Sequence, residues 1–378
     1  MGNVLLFAVG LGLYVCLVRS VRYRRRDAIL KKYAGKKMTP LEAQEVIVNI
    51  ASYDSPAMHE TALQFALFGT YAIETIASLL LKTGNFTDPK NMIKRYVDTA
   101  QLISEWIYNP LDHTRARLAF ARTKWLHDRY GARISRDDLL YTLGCFMFVP
   151  VQMVGALDWR GFEGVEREAS FVYWREIGER LGIEDIPGNY GELYVWWKEY
   201  EDTHSRHNGA SDNLATLTMN VITFQVPGFL REPAKKFMIC VMDDKLRSSM
   251  GIPASPATYH TIFTTIIGIR KFIYRNLLLP RPSWNPYQTI NENPNPKTGR
   301  YIPRGEAPEP WYMPETWWGM YGPYSWIQRL RGQPMPSKAF ESGGYAIENM
   351  GPEALKNKGV EEVRMNARNM RRCPMAFA

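Results

Sequence analysis

Apolar positions arrange this chain into three unlike stretches. Val4 to Val18 is almost wholly apolar, interrupted only by Gly10 and Gly12, and Met1 to Val18 holds no Lys, Arg, Asp or Glu. That length sits at the short end of the roughly 17–25 residues a membrane-crossing helix needs. Beyond it, apolar residues recur at helical spacing to about Leu278, and alternating strand patterns are not evident. Thr39-Pro40-Leu41-Glu42 reads as N-cap, Pro at N1 and a reciprocal acid at N3, and Ser135-Arg136-Asp137-Asp138 as a similar box. Further helices are expected over 61–82, 89–108, 114–130, 166–181, 190–204, 212–225 and from Ser255-Pro256 to about Leu278. From Pro280 the pattern breaks. Residues 280–336 hold 12 of the 24 prolines and 5 of the 11 tryptophans. Regular helix is not expected there, yet the aromatic content speaks against disorder, so an extended arm packed on the helices is expected. The Arg- and Asn-rich C-terminus is expected to fray.

The expected class is therefore all-α. A single large helical domain over 39–280 follows a membrane anchor (1–20) and a basic juxtamembrane segment (21–38), and a Pro- and Trp-rich arm (281–378) closes the chain.

The position of the charge adds to this. Net charge is +9, and nine basic residues against one acidic one (Asp27) fall within the first 37 residues. A nucleic-acid binder would spread basic residues over a folded face, so the terminal block points to a membrane surface and no nucleic-acid partner is expected. Because the basic residues follow the apolar run, residue 19 onward is expected in the cytosol. The sequon Asn85-Phe86-Thr87 would then stay bare. Four cysteines at 16, 145, 240 and 373 show no CxxC spacing, so neither a disulfide framework nor a cysteine zinc site is indicated.

Three clusters are candidates for chemistry. Arg95, Asp98, Thr99, Leu102 and Trp106 share one helical face, either as an Arg–Asp pair on a half-buried surface or as a polar group facing a pocket. His127 follows on a helix that carries Phe120, Thr123 and Tyr130 on the same side. A lone helical His is commonly structural, and zinc would want further ligands at close spacing. One axial imidazole on an all-α scaffold fits haem better, because the porphyrin supplies the other four ligands. Asp243-Asp244 invites comparison with the Asp-rich Mg²⁺ motif of terpene synthases, but Arg247 stands where a later acid belongs, and an ion-paired helix end is favoured. Walker, Rossmann and GxSxG spacings are lacking.

These segments resemble the fungal ER-bound oxygenases of the MpaB type, which share a catalytic domain with bacterial rubber oxygenases. The resemblance runs through Gln64-Phe65-Ala66-Leu67-Phe68-Gly69-Thr70-Tyr71, Lys94-Arg95-Tyr96-Val97-Asp98-Thr99, the segment ending at His127, Trp159-Arg160 and Met242-Asp243-Asp244-Lys245-Leu246-Arg247. It continues through Pro280-Arg281-Pro282, Trp311-Tyr312, Gly344-Tyr345, Gly351-Pro352 and Cys373-Pro374. It implies a b-type haem (iron) with His127 as axial ligand. It also implies an ER membrane location, which with the charge pattern above gives a single-pass protein with the domain in the cytosol, and O₂-dependent cleavage or oxidation of a C=C bond in an apolar isoprenoid-like substrate of fungal secondary metabolism. An Arg-x-x-Lys-Thr motif of the rubber oxygenases falls on Arg95, Asp98 and Thr99. Aspartate replaces its lysine, so the lysine's capping of the iron does not carry over. By this reading Arg95 and Thr99 steer the oxygen, while Asp98 orients Arg95 or relays protons. Arg117, Arg122 and Arg160 are candidates for the haem propionates. A non-catalytic haem protein and a terpene-synthase-like enzyme are the alternatives.

Overall fold

The computed structural model describes residues 2–84, 89–223, 226–305, 309–330 and 332–373. The sequon Asn85-Phe86-Thr87 and Pro374 lie outside the described residues. Helices follow one another from α1 (Gly2–Arg22), α2 (Arg24–Tyr33), α3 (Pro40–Asn49), α4 (Pro56–Thr70), α5 (Glu74–Lys82) and α6 (Pro89–Tyr108) to α7 (Thr114–Asp128) and α8 (Arg136–Leu157). Then come α9 (Gly164–Leu181), α10 (Tyr190–His204), α11 (Gly209–Ile222), α12 (Gly228–Ile239), α13 (Asp244–Ser249) and α14 (Ala257–Asn276). Among the described residues β-pairing is limited to isolated bridges such as Tyr301 with Tyr345, so the protein is all-α.

Local chemistry accounts for the helix starts. The Thr39 hydroxyl accepts from the Glu42 N–H at 3.3 Å, and the Glu42 carboxylate accepts from the Thr39 N–H at 2.8 Å, a reciprocal box. The second box is half formed. Ser135 accepts from the Asp138 N–H, but the Asp138 carboxylate accepts instead from the Thr75 hydroxyl at 2.7 Å and the Tyr200 hydroxyl at 3.0 Å. Tertiary partners won the acid that the spacing assigned to the cap. The helix expected over 61–82 is broken at Tyr71–Ile73 for a similar reason: the Tyr71 carbonyl accepts from the Ser211 hydroxyl at 2.7 Å.

The helix α8 is long and apolar enough to cross a membrane, yet most of it is buried at the centre of the domain, with α4, α9 and α10 packed against it. By contrast α1 exposes Val4, Leu5, Leu6 and Phe7 by two-thirds or more. It leads into α2, which docks on α9 through buried Ile29 and Tyr33, while the Arg22 guanidinium lies over the Trp159 ring at 5.0 Å. Most of the basic segment is thus a helix packed on the domain.

The arm departs from expectation in two places. Short helices α15 (Trp317–Tyr321) and α16 (Pro323–Leu330) form within the Pro-rich stretch, where Pro323 occupies a first helical turn that tolerates it. Near the C-terminus, α17 (Val360–Asn369) packs on α7, burying Val363 and Ala367 against Ala121 and Trp125. An apolar stripe hidden among Arg and Asn residues anchors the end that composition alone would leave loose.

Candidate active site

The packing of α6 beside α7 encloses an apolar cavity of about 220 Å³. The face read from spacing on α6 points into it in full: Arg95, Asp98, Thr99, Leu102 and Trp106 all line the wall. Opposing residues come from α7 (Thr123, Leu126, His127), with Tyr71 after α4, Phe146 on α8, and Gly351 and Pro352 from the arm. Smaller cavities of about 60 and 90 Å³ continue along α6. The first shares Leu67, Tyr96, Thr99 and Ile103 with the main cavity, and the next reaches Tyr287 and Trp311 of the arm.

Protein surrounds the His127 ring, which keeps accessible surface toward the cavity. Burial, then the nearby Arg95 charge, lowers its pKa to about 4. The imidazole is therefore neutral at physiological pH and keeps a lone pair, as a metal ligand must. Next to it, the Thr123 hydroxyl and the Trp106 indole N–H are buried at the wall without a hydrogen-bond partner among the described residues. Buried groups of this kind are ordinarily satisfied, so these two mark where a ligand would complete the site. No group of three or more His, Cys, Asp or Glu side chains among the described residues is arranged to hold a bare metal ion. A single imidazole facing an apolar chamber suits a metal that brings its own macrocycle.

Asp98 is engaged differently from the sequence expectation. Its carboxylate accepts from Lys94 Nζ at 2.8 Å, the Tyr312 hydroxyl at 2.5 Å and the Gly351 N–H at 3.0 Å. Burial pushes the carboxyl up, while Lys94, Tyr312 and Gly351 pull against it. Two turns along the same face, buried Glu105 repeats the arrangement: it accepts from the Tyr345 hydroxyl at 2.7 Å and pairs with Arg115 at 2.6 Å. The sequence reading missed Lys94, Glu105, Arg115, Tyr312 and Tyr345. Two carboxylate–tyrosine pairs thus fasten the arm to α6, and the Trp311-Tyr312, Gly344-Tyr345 and Gly351-Pro352 motifs supply the arm's side of them. Gly351 adopts φ +120°, and a Cβ there would meet Leu126 at 3.0 Å, so the close approach needs glycine.

The three propionate candidates lie elsewhere. Arg117 donates to the Arg368 and Met370 carbonyls, and Arg122 to those of Met350, Leu355 and Lys358. Arg160 pairs with Asp54 at 2.5 Å and Glu166 at 2.7 Å. None lines the cavity. Spacing identified strongly basic positions but could not show that carbonyls and carboxylates of the fold already occupy them. Asp243 caps α13 by accepting from the Leu246 N–H at 2.7 Å, and Asp244 pairs with Arg247 at 3.0 Å.

His59, buried on α4 against the 60 Å³ cavity, is also lowered to about 4 by burial. The unfolded chain then binds more protons than the folded one between pH 4 and 6.5. Stability is full above pH 6.5 and drains as pH falls toward 4, by at most about 3 kcal/mol for the fully enclosed His59. In urea melts across that window, His59→Leu is expected to flatten the acid slope, and an unchanged slope would contradict the assignment.

Comparison with known proteins identifies the family. The family description "ER-bound oxygenase mpaB/B'/Rubber oxygenase, catalytic domain" matches residues 58–269, which span α4 to α14 and hold both walls contributed by α6 and α7. The chain belongs to this family. The ER-bound oxygenase mpaB' of Penicillium brevicompactum is 33% identical over 373 residues, covering 93% of this chain and 88% of the relative. The ER-bound oxygenase mpaB of the same species is 32% identical over 369 residues, covering 91% and 86%. The mpaB of Penicillium roqueforti (strain FM164) is 37% identical over 265 residues, covering 65% and 89%. As a member of the MpaB/rubber oxygenase family, the protein is an oxidoreductase of the oxygenase type.

Proposed function

We propose that the cavity holds one b-type haem through His127, and that the protein is an ER membrane-anchored oxygenase acting on a C=C bond of a long, apolar, isoprenoid-type substrate. The observation that carries this reading is the neutral His127 imidazole sharing one apolar chamber with Arg95 and Thr99. Haem bound there would supply the O₂ chemistry that amino-acid side chains lack.

The chain's own residues do the rest. Leu102, Ile103, Leu126 and Phe146 exclude water and receive alkyl surface, and the cavities strung along α6 offer room for a chain longer than the main chamber. Arg95 brings a fixed positive charge to the wall, placed to favour negative charge developing on oxygen in a medium of low polarity. The Thr99 hydroxyl, one turn along α6, is positioned to donate a hydrogen bond to the same region. Asp98 acts through the arm: with Lys94 and Tyr312 it holds Gly351 and Pro352 against the chamber. Cleavage of one C=C by one O₂ into two carbonyls balances without an external hydride.

The apolar α1, followed by Arg19, Arg22 and Arg24 to Arg26, would cross the ER membrane once and leave the domain in the cytosol. The relatives' designation as ER-bound supports that placement. A tethered domain meets a membrane-partitioned prenyl chain at high local concentration.

Haem-loaded protein should consume O₂ and form carbonyl fragments with unsaturated isoprenoids drawn from geraniol, farnesol and squalene, and not with their saturated counterparts. Equal O₂ uptake with saturated chains, or none with any unsaturated one, would contradict the assignment.

A further inference from the structure

We infer that α14 forms a second membrane contact, lying in the lipid headgroup–acyl boundary beside the α1 anchor. The inference rests on reading α1 as a bilayer anchor. The helix α14 already has a protein-facing side: Tyr259 and Phe263 meet Phe237 of α12, Arg270 pairs with Asp158 at 2.8 Å, Lys271 donates to the Ala156 carbonyl at 2.5 Å and Arg275 to the Trp159 carbonyl at 2.6 Å. Its outward side carries Ile262, Ile266, Ile269 and Phe272, which are 49–59% exposed and follow helical spacing. None of the residues of α14 is buried. Ordinary surface helices turn such a stripe toward the core, and a contiguous apolar face left outside marks an interaction surface.

Three further observations select lipid as the occupant. No Asp or Glu lies between Asp244 and Glu292, so α14 and the segment after it carry no acidic side chain for an anionic headgroup to repel. The end of α14 is continuous with the anchor. The Tyr14 hydroxyl donates to the Leu277 carbonyl at 2.9 Å, Arg22 donates to the Leu278 carbonyl, and Arg25 to the Arg281 carbonyl at 3.3 Å. These bonds set the segment after α14 level with the basic end of α1, where headgroups would lie. At that level Leu278 and Leu279 are exposed, and Trp284 is 82% exposed, an aromatic of the kind that settles at membrane interfaces. Docking of α14 would fix the orientation of the domain on the bilayer rather than leave it swinging on one helix.

Site-directed fluorescence tests this on the full-length chain in phosphatidylcholine nanodiscs, in a Cys240→Ser background. A bimane label is placed on native Cys16 of α1, on Ile266→Cys with Cys16→Ser, or on Met365→Cys of α17 with Cys16→Ser. Doxyl-labelled phosphatidylcholine should quench the labels at Cys16 and Ile266 several-fold more than the label at Met365. Quenching at Cys16 with none at Ile266 overturns the second contact and leaves the anchor standing, and self-quenching at Ile266 that grows with protein density would then identify another copy of the chain as its cover. Absence of quenching at both sites overturns both readings. Equal quenching at Ile266 and Met365 overturns the specific docking of α14.

Discussion

His127→Ala is expected to give a folded protein that no longer retains stoichiometric haem and lacks a Soret band after hemin loading. The imidazole is the one neutral, lone-pair-bearing nitrogen ligand that α7 presents to the chamber, and Arg95 beside it helps keep it unprotonated. Loss of an outer partner at a metal site typically weakens binding by about 10–100-fold, so removal of the direct ligand should cost more than that. Far-ultraviolet circular dichroism should be unchanged, because His127 lines a cavity and its removal leaves the α6–α7 packing in place. Arg95→Ala and Thr99→Ala should keep the haem and slow turnover instead. A normal Soret band in His127→Ala, with normal O₂ uptake, would move the ligand elsewhere.

Asp98→Ala is expected to be the most destabilising single change near the site, by about 3–5 kcal/mol, because it strands the buried Lys94 ammonium without its counter-charge. It also leaves the Tyr312 hydroxyl and the Gly351 N–H with a lost acceptor, which should loosen the arm over the cavity. Tyr312→Phe, which removes the bond donated to Asp98 and the one accepted from Lys94 Nζ but leaves that ion pair intact, should cost less, about 1.5–3 kcal/mol. Urea midpoints measure both, and proteolytic cleavage of the arm should accelerate in the same order. This separates two roles for Asp98. Asp98→Asn removes the Lys94 counter-charge in either role, so a proton relay would show as turnover falling far beyond what the loss of stability and arm protection accounts for. A positioning residue would lose stability and arm protection together, with turnover falling in proportion. Wild-type stability in Asp98→Ala would contradict the latch.

The helical class, the α6 stripe and the position of His127 were legible because each depends on spacing within one helix. Arg95, Asp98, Thr99, Leu102 and Trp106 meet the cavity together as a period of 3.6 residues requires. The arm partners of Asp98 were not legible, since Tyr312 and Gly351 lie more than two hundred residues along the chain and no local rule pairs them, whereas Lys94, four residues earlier on α6, was within reach of the i,i+4 rule. The same limit governs Arg117, Arg122 and Arg160: a basic residue in sequence says nothing about which carbonyls will surround it. The docked α17 and the broken 61–82 helix show tertiary contacts overriding composition and propensity. The outward stripe of α14 was visible as an apolar pattern, but only the fold shows which of its apolar residues point outward.

A hemin titration of the full-length, detergent-solubilised protein, followed by oxidised and reduced visible spectra and a pyridine haemochrome assay, tests the His127 haem site most directly. The predicted result is saturation at one haem b per chain, with a Soret band that His127→Ala protein fails to develop. A preparation that stays colourless, or that takes up hemin no better than the His127→Ala variant, would contradict it.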